Sequence, residues 1–155
     1  MAISDIQKNT QDFIKRVDEM TDMILGSVGE KFVENARNSV TETIYKRTVY
    51  TKKGEARSRR PWELTGNLRN SIGFLIIKNK QITGAKFGSG EGAAKGEQEA
   101  KELAKEVENG LVGVAGMDYA LFVESKGYDV ISNSVNIAIP QYERMMEKFL
   151  KELLK

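Results

Sequence analysis

A chain of 155 residues, 40% hydrophobic and 30% charged, has the size of one ordinary domain, with enough apolar material for one core under a well-solvated surface. It has no cysteine and no histidine, which excludes disulfides, thiolate chemistry, the commonest general base and the commonest transition-metal ligand, so that a metal site would need carboxylates, carbonyls and a hard ion. The net charge of +2 conceals a block from Lys46 to Arg60, where seven cations against the single anion Glu55 give +6 and leave −4 for the rest; such a block suits an acidic partner.

The N-terminus, Met1-Ala2-Ile3-Ser4-Asp5, lacks the charged, apolar and small-residue succession of a secretory signal, and no apolar run approaches the ~20 residues of a membrane span. From Ile3 to Arg47 the pattern is helical. Ile3, Ile6, Thr10, Phe13, Val17 and Met20 alternate spacings of three and four, the repeat of one helix face. From Met20 the spacing is a steady four through Ile24, Val28, Phe32, Ala36, Val40 and Ile44. At 3.6 residues per turn each such step over-rotates the stripe by about 40°. The long N-terminal helix is therefore expected to be bent or broken near Gly26, with Gly26 ending one segment and Ser27 and Glu30 forming a capping box for the next.

Residues 48–61 are polar and basic, contain Gly54 and predict a mobile loop. Glu63 to Ser71 can hold one helical turn. Ile72 to Ile77 predicts a strand, Asn79-Lys80 a turn, Gln81 to Phe87 the hairpin partner, and Leu111 to Ala115 a third strand. Between the last two lies 88–110. It opens on the linker-like Gly88-Ser89-Gly90-Glu91-Gly92, and its remainder forms helix well but offers only a thin stripe of Ala100, Leu103, Ala104 and Val107. It reads as an inserted flexible or helical arm, ordered against a partner and dispensable for folding. Tyr119 to Glu124 suits one helical turn. A final helix follows from the stripe Ile131, Val135, Ala138, Tyr142, Met145 and Phe149, with Pro140 expected to kink or restart it. The sum is a single α+β domain, 1–155: a small antiparallel sheet packed against the long N-terminal helix and the C-terminal helix.

Two short motifs stand about fifty residues apart. The first is Thr65-Gly66-Asn67-Leu68-Arg69-Asn70-Ser71-Ile72, in which Gly66 suits a positive φ, Thr65 or Asn67 can cap a turn, and Leu68 and Ile72 share a face. The second is Gly116-Met117-Asp118-Tyr119-Ala120-Leu121-Phe122-Val123-Glu124, followed by Gly127. Glu124 either satisfies local backbone donors or pairs with Arg69, within the subunit or across an interface. Arg57-Ser58-Arg59-Arg60-Pro61-Trp62 is either a solvated loop with Trp62 plugging the core edge, or a basic surface. In the second case Lys52, Lys53, Arg57, Arg59, Arg60 and Trp62 are candidate contacts to DNA or an acidic partner. The serines have no histidine partner, and Asp118, Glu124 and Asp129 read as caps and solvated charges. No phosphate-binding glycine loop is present.

The two motifs, in this order, resemble the head–tail joining and tail-completion (neck, minor tail) protein family of long-tailed bacteriophages, the gene-ten-product-like family of lambdoid siphophages. Pro61, Thr65, Gly66, Leu68, Arg69, Ser71 and Ile72 match its central run, and Tyr119, Ala120, Val123, Glu124 and Gly127 its second. The resemblance covers the chain from Pro61 onward. Three residues separate Pro61 from Thr65 where many relatives have two, the last helix opens differently, and the 88–110 arm is long. The resemblance implies a structural virion-assembly protein of a phage or prophage, with no enzyme activity and no cofactor. It would be a head–tail connector or tail-completion ring subunit, self-associated as a hexamer. Its neighbours would be connector, tail-terminator or tail-tube proteins, with DNA in the lumen and no membrane. It would reside in the virion after assembly in the bacterial host cytoplasm. The alternative is a nucleic-acid-binding protein using segment 46–60.

Overall fold

The computed structural model describes residues 2–48, 50–58 and 65–155. Along the chain run α1 (Ile3–Val40), α2 (Asn67–Ser71), β1 (Ile72–Lys78), β2 (Gln81–Lys86), α3 (Gly90–Ala104), β3 (Gly110–Ala115), α4 (Ala120–Ser125) and α5 (Ser132–Leu153). The fold is α+β around one antiparallel sheet in the order β2-β1-β3. Asn79 and Lys80 join β1 to β2 with φ of 50° and 62°, the mirror-image turn that matches strand twist. Alternation along β1 sends Ile72, Phe74 and Ile76 to the face covered by α1, and Leu75 and Ile77 to the opposite face. All five are buried, which is why the strand reads as an unbroken apolar run.

The break expected near Gly26 does not occur: α1 is one helix through Gly26 and Gly29. The drifting stripe is absorbed by a change of partner along its length. Ile24 and Val28 pack against α5, in a cluster with Phe149, Ala138 and Tyr142. Phe32, Val33, Ala36, Val40 and Ile44 turn instead to the sheet, α2 and α4. At the end, residues Thr41–Tyr45 widen into a turn whose bond from Lys46 N–H to Thr41 O, 2.9 Å, spans five residues and slows the rotation between Val40 and Ile44. Gly29 has a packing role: a Cβ there would stand 2.7 Å from the Phe74 ring, which lies directly on the helix backbone. α5 likewise continues through Pro140, which occupies an exposed position, and its apolar side lies along α1.

The segment expected as a loosely held arm is part of the core. Helix α3 covers the second face of the sheet, with Ala100 and Ala104 buried against Leu75, Ile77, Val112 and Val114. Leu103, which the stripe assigned to the buried side, is exposed. Small residues carry the contact because α3 crosses α2 at backbone distance: a Cβ at Gly92 would stand 2.2 Å from Asn67 O, and one at Gly96 2.1 Å from Ser71 O. An apolar count undervalues such a face, since glycine and alanine gain their contacts by proximity rather than by area.

Candidate functional site

The two motifs, fifty residues apart in sequence, form one corner of the molecule. Gly66, φ 69°, opens α2, and the Thr65 hydroxyl accepts the Asn67 N–H at 3.3 Å. Leu68 and Ile72 are fully buried, with Ser71 between them donating its hydroxyl to Leu68 O at 2.8 Å. The Ser71 carbonyl in turn accepts the N–H of Gly116, the first residue of the second motif, at 3.4 Å, and Ile72 sits opposite Ala115 across the strands. Met117, Ala120 and Val123 complete the same buried cluster. Phe122 is exposed, as is Leu121 at 80%. Gly116 faces Gly96, where a Cβ would stand 2.4 Å from the Gly96 Cα. Leu68, Ser71, Ile72, Gly116, Met117, Ala120 and Val123 therefore build the interior of a corner, and the other motif positions are partly or fully exposed.

The carboxylates here are structural. Glu124 Oε1 accepts the Ser132 N–H at 3.0 Å at the start of α5, so it satisfies a local backbone donor. Among the described residues no ion pair joins it to Arg69. Asp129 Oδ1 accepts the Asn133 N–H at 2.9 Å, and the Ser39 hydroxyl is shared between Asp129 O at 2.9 Å and Asp129 Oδ2 at 3.1 Å, tying the start of α5 to α1. Asp118 pairs with Lys95 at 3.4 Å. Gly127 has a φ of 85° just past the end of α4.

Arg69 projects into an open cleft of about 420 Å³ beside Arg37, Lys31, Lys86, Glu30 and Glu34. The two glutamates there are engaged, Glu30 by Lys86 and Glu34 by Lys31 at 2.7 Å. Arg37 Nη2 donates to Ile72 O at 2.8 Å, while its buried Nε has no acceptor among the described residues. Burial, and then the Arg69 charge, pull the Arg37 pKa down from its ordinary value. The Tyr45 hydroxyl is buried beside the Leu68 and Arg69 backbone without a well-formed hydrogen bond, and burial raises its pKa above 10.0. Tyr119 is raised in the same way, by burial and by the neighbouring Tyr45.

The described part of the basic segment is a loop closed by local bonds. Lys46 pairs with Glu42 at 2.6 Å, and the Arg47 guanidinium lies 5.7 Å from the Tyr128 ring centre. Tyr50 then bridges Ala56 in a tight hairpin, closed by the Thr51 N–H on Glu55 O at 2.7 Å and by Gly54, φ 81°, whose N–H reaches Thr51 O at 3.0 Å. The Thr51 hydroxyl accepts two further backbone N–H groups, from Lys53 and Glu55. Lys52 and Lys53 are exposed at the tip, and Arg57 is half-buried with a bond to Ser58 O. Arg59, Arg60, Pro61 and Trp62 lie outside the described residues.

Among the described residues no group of three acidic side chains is placed to hold a metal ion, and no helix is long and apolar enough to cross a membrane. No family model, no curated protein and no solved structure matches this chain. The sequence reading missed one surface, the outer edge of β3; the available signal was the absence of any charge in Leu111-Val112-Gly113-Val114-Ala115.

Proposed function

We propose that this chain is a structural subunit of a phage or prophage particle, a head–tail connector or tail-completion ring component. The observation that carries the reading is the corner itself. Two motifs chosen by resemblance meet in space, sharing the Gly116–Ser71 hydrogen bond and the cluster of Leu68, Ile72, Ala120 and Val123. The surface is consistent with assembly: Leu121 and Phe122 are exposed on α4, and Ile3, Ile6, Phe13 and Ile14 on the outer half of α1. The absence of histidine and cysteine from the chain argues against hydrolytic or redox chemistry. On this reading the work is geometric: each subunit offers one surface to a different surface of the next, and the ring closes, as a hexamer by analogy with the family. It then docks on connector, tail-terminator or tail-tube proteins in the host cytoplasm and remains in the virion.

Inactivating the gene in the phage that carries it is expected to leave filled heads and finished tails unjoined in electron micrographs, with joining restored by the purified chain. Normal particles from the inactivated phage overturn the reading. The exposed basic hairpin favours one second reading, nucleic-acid binding through Lys52, Lys53 and Arg57. That reading requires affinity for short duplex DNA that falls steeply with salt.

A further inference from the structure

Strand β3 is an edge that folded proteins ordinarily protect. Apart from its bonds to β1, no backbone or side-chain group among the described residues hydrogen-bonds to residues 111–115. The strand has no charge and no proline, and its register against β1 is regular over six pairs. The opposite edge is guarded: β2 carries Lys86 and is exposed on both faces, and its register with β1 shifts between Ile76 and Ile77. A hollow flanks β3 on each side. Towards α1 and α5 one of about 620 Å³ is lined by Leu25, Phe32, Val135, Ile139 and Tyr142 together with Leu111 of the strand. Towards α3 another of about 370 Å³ is lined by Leu103, Val114 and Ile131. A strand laid beside β3 would send alternate side chains to the two faces of the sheet, one set into each hollow.

The charged side chains lining both hollows are acidic, although Asp118 is already paired with Lys95. Glu143 lines the first hollow, Glu99 and Asp118 line the second, and no lysine or arginine lines either. The chain itself supplies the complement. Every residue from Tyr50 to Ala56 is exposed, so among the described residues none of this hairpin is buried against the rest of the subunit, and an isolated two-stranded hairpin is marginal in water. Its tip bears Lys52 and Lys53, which make no ion pair among the described residues, and Tyr50 is 62% exposed. Pairing β3 with β3 of another copy would set the rim carboxylates against their own copies, which charge disfavours.

We propose that the outer edge of β3 receives one arm of the Tyr50–Ala56 hairpin of a second copy of this chain, with the turn residues Lys52 and Lys53 reaching the carboxylates of Glu99 and Glu143. The contact is head-to-tail, the kind that propagates around a ring; its identification with the ring neighbour rests on the functional reading above.

The test uses the full chain, followed by sedimentation velocity and amide hydrogen exchange over a range of protein concentration. Amides of 111–115 and of 50–56 should gain protection together as the chain self-associates, and association should weaken with salt. Lys52→Glu with Lys53→Glu should weaken it by about tenfold or more, and adding Glu99→Lys with Glu143→Lys should restore it. All four positions are exposed, so thermal melting should report each variant folded. A chain that remains monomeric at high concentration overturns the proposal. So does association that protects β2 or α4 while 111–115 exchange as in the monomer, or that ignores the hairpin charges. The two readings fail separately. A virion ring with β3 open removes this contact alone, whereas a protected contact in a chain that never enters particles removes the ring assignment and leaves the contact.

Discussion

Replacing Gly96 by alanine should destabilise the protein, although the same change in an ordinary helix stabilises it. Alanine is favoured over glycine in a helix interior by about 1 kcal/mol. At Gly96, however, the added Cβ would stand 2.1 Å from Ser71 O and 2.9 Å from Ser71 C. These are backbone atoms, so no rotamer change relieves the contact. Ser71 is held from both sides, by the Gly116 N–H on its carbonyl and by β1, which starts at the next residue. Either α3 lifts from α2, opening the cluster of Leu75, Ile77, Ala100 and Val112, or the start of β1 shifts. Overpacking of this kind costs about 1–3 kcal/mol. With no soft atom to yield we expect the upper part of that range, and a net loss of about 2 kcal/mol after the helix gain. Gly26 supplies the control: it lies inside α1 with nothing within 4 Å of its would-be Cβ, so Gly26→Ala should gain up to about 1 kcal/mol. For a chain of this size 1 kcal/mol moves Tm by about 2–4 °C. Gly96→Ala should therefore melt about 4–8 °C below wild type, and Gly26→Ala as much as 2–4 °C above it. Urea titrations with unchanged m-values would show that both shifts are changes in stability and not in the surface exposed on unfolding. A Gly96→Ala protein as stable as wild type would refute the docking of α3 and return 88–110 to the status of a loosely attached arm.

Other substitutions probe the caps, the buried phenol and the hairpin. Asp129→Ala removes the cap on the Asn133 N–H but leaves the Ser39 hydroxyl its closer acceptor, Asp129 O at 2.9 Å, and should cost about 1 kcal/mol in urea denaturation, more than Glu124→Gln, which keeps a weaker acceptor for Ser132. Tyr45→Phe should be nearly neutral at pH 7, because the lost hydroxyl makes no good hydrogen bond. The folded Tyr45 and Tyr119 phenols hold their protons above the ordinary value of 10.0, while the unfolded chain releases them there. Stability should accordingly be lost as pH rises through and above about 10, and Tyr45→Phe should flatten that decline in melts taken from pH 8 to 11. Lys52→Ser with Lys53→Ser should leave Tm within about 0.5 kcal/mol of wild type, since the hairpin tip touches no core; a large fall in Tm would mean that the hairpin belongs to the folding unit.

Local chemistry was legible in the sequence. The apolar run Ile72 to Ile77, the Asn79-Lys80 turn, the third strand at Leu111 to Ala115 and the positive φ at Gly66 follow from side-chain branching, period and turn preference, and each lies where those features place it. The absence of histidine and cysteine also belongs to the sequence alone. Tertiary structure decided the matters that depend on a partner. A stripe advancing by four residues says that a helix buries a drifting face; α1 stays whole because α5 takes the first part of that face and the sheet the second. The role of 90–104 escaped because its face is built of glycine and alanine, whose contribution depends on how closely another backbone approaches, and neither composition nor period records that distance. Glu124 could equally have served a backbone donor or an arginine; which one lay within reach was fixed only when α5 brought the Ser132 N–H to 3.0 Å. The free edge of β3 likewise exists only in three dimensions. The strand's uncharged composition fits a central position as well as an edge, and the order β2-β1-β3 is what leaves it uncovered.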